Sequence, residues 1–200
     1  MISLTDGMLL YHGSYAKVEN IDLKKCKQGK DFGRGFYLTS SYEQAKNFVP
    51  LSVKKQVNIG SMVEGTTEGV ISVFRLHLTS DVNVYTFASA DAAWLHFVTA
   101  NRRKDLFPNL ASQYQKYDII AGKIANDRTA RTLQIYISGG YGEPGSDEAD
   151  RIAIETLLPN RLENQFCFCN QKAIHCKTAK RMLVAEHNGG QILLEVERIV

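Results

Sequence analysis

Two segments near the start of the chain carry residue types suited to holding a ligand. The first is Leu10-Tyr11-His12-Gly13-Ser14. The second is Asp31-Phe32-Gly33-Arg34-Gly35-Phe36-Tyr37-Leu38-Thr39. The imidazole of His12 can hydrogen-bond a ligand hydroxyl. Gly13 has no side chain to keep a ligand away from the backbone. Gly33 and Gly35 permit a tight turn, Arg34 suits a phosphate, and Tyr37 offers a ring face for stacking. Neither His-Gly nor Gly-x-Gly is specific alone. The two in this order, with a helical segment after the second, form a far more specific pattern. The bland alternative is a core histidine, a glycine turn and a buried tyrosine.

A third position lies late in the chain, in Glu163-Asn164-Gln165-Phe166-Cys167-Phe168. The Gln165 amide can donate or accept a hydrogen bond, but it carries no charge and cannot act as a base. Three carboxylates are candidates to supply charge. Asp118 sits at the start of the apolar run Tyr117–Ala125, where an unpaired carboxylate is costly. Glu163 shares a face with Gln165 if the strand extends that far. Asp127 closes the block Tyr117 to Arg128. For Asp118 and Asp127 the competing role is capping or an ion pair with Arg128 or Arg131. For Glu163 it is a solvent-facing loop carboxylate.

These segments resemble the motifs of the ADP-ribosyltransferase superfamily, in its His-Tyr branch. The Tyr-His-Gly-Ser, Asp-Phe-Gly-x-Gly-Phe-Tyr and late Asn-Gln-Phe-x-Phe segments also resemble a bacterial, toxin-like family formerly of unknown function. The Trp94-x-x-Phe97 helix ending at Asn101-Arg102 fits that likeness, which runs from about Leu9 to Cys176. The resemblance implies an ADP-ribosyltransferase-like split β-sandwich: two small sheets, surrounding helices, and an NAD cleft between His12 and Tyr37. It implies transfer of ADP-ribose from NAD, the co-substrate, to a macromolecular acceptor, protein or nucleic acid, with loss of nicotinamide. His12 would anchor the adenosine ribose, Gly13 would meet the nicotinamide amide, Ser14 would line the cofactor, and Tyr37 would stack the ring. Gly33, Arg34 and Gly35 would line the cofactor. Gln165 stands where the superfamily usually has Glu, and would orient the reacting ribose with Asp118 as the favoured nearby carboxylate. A toxin or effector role, with a possible antitoxin partner and action in the cytoplasm of the producing or a target cell, is implied only by the resemblance. The rival readings are a catalytically weak NAD- or ADP-ribose-binding module, an RNA 2′-phosphotransferase-like enzyme, and plain NAD hydrolysis.

The elements that must position these residues follow from hydrophobic spacing. Strands are expected over Met8–His12, Phe36–Thr39, Val70–Leu78, Asp81–Thr86, Tyr117–Ala125, Gln165–Cys169 and Gln191–Arg198. A helix from Tyr42 to about Lys55 has a cap at Ser40 or Ser41 and an apolar stripe of Ala45, Phe48, Val49 and Val53, with Pro50 interrupting it. Further helices are expected over Ser89–Arg103 (Ala93, Trp94, Phe97 and Val98 inward), Thr132–Ile137 and Ser146–Leu157, with a short helix or turn at Ala173–Lys177. Interspersed strands and helices without regular βαβ spacing favour an α+β fold with mixed or antiparallel sheets.

With 200 residues the chain fits a single domain over 1–200, able to bury a core without staples. Its net charge of +3 is too small to argue for nucleic-acid binding, though it permits an anionic ligand. Cys167 and Cys169 should share one strand face as reduced thiols. With His175 and Cys176 they lack zinc spacing, so no metal site is expected. His77, His96, His175 and His187 read as structural or exposed, and Ser146 as a cap. Met1 to Leu10 lacks a secretory pattern, and no stretch approaches the roughly 20 apolar residues of a membrane span, so no membrane partner is expected.

Overall fold

The β-branched and aromatic run Val70, Ile71, Val73 and Phe74 after Gly69 makes β3 (Gly69–Arg75), the strand around which one half of the fold is built. The structure, a computed structural model, describes residues 3–124, 127–158, 162–175, 179–185 and 194–196; of residues 127, 128, 175, 179–185 and 194–196 it describes the backbone alone. The chain groups into two compact units, one formed mainly by Asp22–Tyr37 and Asp81–Ala173, the other by Leu4–Ile21, Leu38–Ser80 and Ile174–Val200. The fold is α+β with mixed strand pairing.

In the second unit β1 (Leu9–Ser14) runs antiparallel to β3, from Leu9↔Arg75 to Ser14↔Val70. The far side of β3 pairs with β7 (Ala179–Ala185), and β7 with β8 (Leu194–Val196), both antiparallel. β2 (Phe36–Thr39), whose Leu38 and Thr39 belong to this unit, joins β1 at Tyr11↔Thr39. Ser41 caps α1 (Tyr42–Asn58) by accepting from the Gln44 N–H. Ala45, Val49 and Val53, each four residues apart, form its buried face with Ile71 and Val73 of β3. Phe48 lies off that face and is exposed. Pro50 does not end the helix. Its ring is on the exposed side, where water can replace the backbone bond that proline cannot donate to Lys46.

In the first unit β5 (Ile119–Lys123) lies between parallel β4 (Val84–Thr86) and antiparallel β6 (Asn164–Phe168). Asp91 caps α2 (Ala92–Arg102), which buries Trp94, Leu95, Phe97 and Val98; Leu95, not Ala93, completes the inward face. Short α3 (Leu110–Gln113), α4 (Asp127–Ile137), Ser146-capped α5 (Asp147–Leu157) and α6 (Gln171–His175) complete the helices among the described residues. Phe32 lies 6.0 Å from the rings of both Phe87 and Phe97. Gly122 makes room for it on β5, since a Cβ there would meet the Phe32 ring at 2.6 Å. No helix among the described residues is long and apolar enough to cross a membrane.

Candidate functional site

The Asp31–Tyr37 segment is a glycine turn closed by its own tyrosine. Gly33 adopts φ +84, the left-handed region that favours glycine. The Tyr37 hydroxyl donates to the Gly33 carbonyl at 2.7 Å and accepts from the Phe32 N–H at 3.0 Å. Burial, with Cys167 and Asp31 nearby, pushes this phenol well above its usual range, so it remains a neutral donor. Gly35 packs on β6, where a Cβ would meet the Cys167 sulfur at 2.4 Å and the Phe168 carbonyl oxygen at 2.7 Å. The Arg34 guanidinium donates to the Leu23 and Lys24 carbonyls at 3.2 and 3.1 Å, holding the single 3-10 turn that precedes the glycines.

Asp31 is buried at the head of this turn. Arg102, in the last turn of α2, donates from both Nε and Nη2 to its Oδ1, at 2.9 and 2.6 Å. Gln165 Nε2 donates to Asp31 Oδ2 at 3.1 Å and to the Lys123 carbonyl at 3.3 Å. Asn101 Nδ2 donates to the Asp31 carbonyl at 3.3 Å and the Phe97 carbonyl at 3.0 Å, and its Oδ1 would stand 3.0 Å from a Cβ on Gly33. Trp94 Nε1 shares the Lys123 carbonyl at 3.1 Å. A charged pair, two amides and a tyrosine-closed turn thus converge on the start of β6. Such a cluster can fix a ring and orient a hydroxyl through neutral and charge-assisted hydrogen bonds.

Asp118 lies away from this cluster. Asp118 sits at the opposite end of β5 from Gly122, the partner of Gln165. Four residues of strand put them about 13 Å apart. The Asp118 carboxylate accepts from the Asn83 N–H at 2.8 Å and Asn170 Nδ2 at 2.7 Å, with Lys172 Nζ at 3.5 Å. Burial pushes its carboxyl up, but these bonds outweigh burial and hold it below the ordinary value of 3.8. Its geometry is that of a staple between β4, β5 and the start of α6. Glu163 is exposed, one residue before β6 begins. The Asp127 side chain lies outside the described residues, as do those of His175 and His187 and all of Cys176.

In the second unit, half-buried His12 stands opposite Ser72 in the β1–β3 ladder. Gly13 is buried under α1: a Cβ would fall 1.9 Å from the Ala45 carbonyl oxygen. Its missing side chain is therefore a packing requirement of the fold, whatever else it serves. Ser14 is buried beside it.

Cys167 and Cys169 are free thiols with sulfurs 3.7 Å apart on β6 and just past its end. Among the described residues no cluster of three or more His, Cys, Asp or Glu side chains could hold a metal ion. His96 contacts Asp150 at 2.6 Å, and Asp150 also takes the Tyr136 hydroxyl, tying together α2, α4 and α5.

The fold and this cluster define an α+β protein with a polar site built on a glycine turn. The chain belongs to the family described as protein of unknown function (DUF3990), whose model matches residues 8–178. No curated protein and no solved structure matches it.

Proposed function

We propose that the protein is a mono-ADP-ribosyltransferase that consumes NAD and modifies a macromolecular acceptor. The observation that carries this reading is the hydrogen bond from Gln165 to Asp31 at 3.1 Å. It joins the turn of the second motif to the late-strand position of the third, though 134 residues separate them. Two of the three motif positions on which the resemblance rests thus lie in one cluster, and that supports the reading.

The bond from ribose C1′ to the nicotinamide nitrogen breaks, and its electron pair leaves with nicotinamide, which departs neutral. The acceptor's nucleophile bonds to C1′ and releases its proton to solvent. The transition state is dissociative, so catalysis rests on positioning and electrostatics. Tyr37 keeps the turn in shape and offers its ring to nicotinamide. Gln165 orients the reacting ribose. His12, Gly13 and Ser14 keep the roles implied by resemblance. Arg34 must exchange its two carbonyl partners to meet a phosphate. The split β-sandwich, the toxin or effector role, the antitoxin partner and the cytoplasmic setting belong to this same proposal.

A specific observation favours the second reading, an NAD- or ADP-ribose-binding module: position 165 carries an amide in place of a carboxylate. NAD labelled on its adenylate half, incubated with the protein and a cell lysate, separates the two. Label on protein or nucleic acid supports the transferase. Binding without transfer or nicotinamide release supports the module.

A further inference from the structure

We propose that Asp31 is the positioning carboxylate of this site: Asp31 and Gln165 act as one unit, with Asp31 carrying the negative charge and Gln165 presenting its carbonyl oxygen to the ribose. The inference rests on the transferase reading and explains why an amide stands at position 165.

Gln165 Nε2 faces two groups that can only accept, the Asp31 carboxylate and the Lys123 carbonyl. Turning the amide over would set Oε1 against both oxygens, so the network fixes the nitrogen inward. Oε1 is then directed away from both, as an acceptor for the ribose 2′-hydroxyl. Arg102 binds Oδ1 of Asp31 through two nitrogens, so Oδ2 faces Gln165. The carboxylate draws on the amide N–H and makes Oε1 a stronger acceptor, because hydrogen bonds in a chain polarise one another. The ribose hydroxyl keeps its proton throughout; no covalent step passes through either side chain. A Glu at position 165 would place a second carboxylate against Asp31 Oδ2 and the Lys123 carbonyl, and like charges in one site cannot both ionise without cost.

Among the described residues, the charged and titratable neighbours include Arg102 on α2, Lys123 on β5, Tyr37 on β2 and Cys167 on β6. Lys123 Nζ is held by the Leu162 carbonyl and Asn164 Oδ1. Burial pushes both Tyr37 and Cys167 upward, so neither ionises near neutral pH.

The test is the charge swap: wild type, Asp31→Asn, Gln165→Glu, and the double variant Asp31→Asn/Gln165→Glu. Each is assayed for nicotinamide release from NAD and for thermal midpoint at about pH 5 and about pH 8. Each single variant should lose about tenfold or more in kcat, with KM within about threefold of wild type. The midpoint of Gln165→Glu should fall more at the higher pH, where both carboxylates are ionised. The double variant should recover about tenfold of the kcat lost by Gln165→Glu, and most of its midpoint. Recovery is incomplete because the Lys123 carbonyl still faces a carboxylate. Recovered midpoints without recovered kcat would overturn the proposal in favour of a purely structural pair. So would single variants that retain wild-type kcat. A wild type that neither binds NAD nor releases nicotinamide would refute the transferase reading and the catalytic role of the pair, while the midpoints would still report whether the site tolerates only one charge.

Discussion

The Tyr37 hydroxyl bonds two backbone groups of its own turn, so the residue has a structural task beside the stacking role the resemblance implies. Tyr37→Phe removes both bonds and should lower stability by about 1–3 kcal/mol. Tyr37→Ala also removes the ring and should cost about 3–5 kcal/mol. Urea denaturation measures both; a Phe variant as stable as wild type would contradict the clamp. Asp118 gives a second test. Its folded-state pKa is depressed, so its contribution is present above the unfolded value and is lost as pH falls through the folded one. Asp118→Asn should therefore lower the thermal midpoint at neutral pH, and its gap from wild type should close below about pH 4. A gap independent of pH would mean that the carboxylate's charge is not what holds Asn83 and Asn170. The residue types of the site were legible in the sequence, since the glycine turn and Gln165 stand out in their own segments. The role of Asp31 was not. Its partners Arg102 and Gln165 lie 71 and 134 residues away, and no local pattern joins them.

At the scale of elements, the sheet ladder of the second unit requires a bare backbone where α1 crosses β1. Gly13→Ala would drive a Cβ into the Ala45 carbonyl oxygen and should destabilise by about 3 kcal/mol or more. An unchanged denaturation midpoint would show that α1 can shift aside at little cost. Pro50 gives the opposite sign. It lies inside α1 on the exposed side, so Pro50→Ala restores a backbone donor and should raise stability by up to about 3 kcal/mol. A lower midpoint would mean that the ring makes a contact worth more than the bond it forgoes. Strands and helices with strong periodicity were legible: Phe36–Thr39 is strand as expected, and the helices from Tyr42 and after Ser146 begin at their caps. Boundaries moved where the chemistry is local, as at α2, which starts after Asp91 because that carboxylate accepts from the Trp94 N–H. β7 carries no strand signal in the sequence. Lys180 and Arg181 interrupt its apolar run, and only the ladder with β3 reveals it as a strand. α3 is four residues long, too short for a periodicity to show.

For the whole molecule, a transferase reading requires that NAD be bound and broken. Net charge +3 is compatible with an anionic dinucleotide but does not select one. The selection must come from the residues of the motifs. Family membership over residues 8–178 covers all of them and assigns no chemistry. The most direct measurement is therefore nicotinamide release from NAD by the purified protein, run beside His12→Ala, with calorimetry of NAD binding on both. Wild type should release nicotinamide over multiple turnovers. His12→Ala should lose roughly 1–3 kcal/mol of NAD binding or transition-state stabilisation, which is about 5- to 150-fold in affinity or rate. A folded wild type that shows neither heat of NAD binding nor released nicotinamide would contradict the transferase reading.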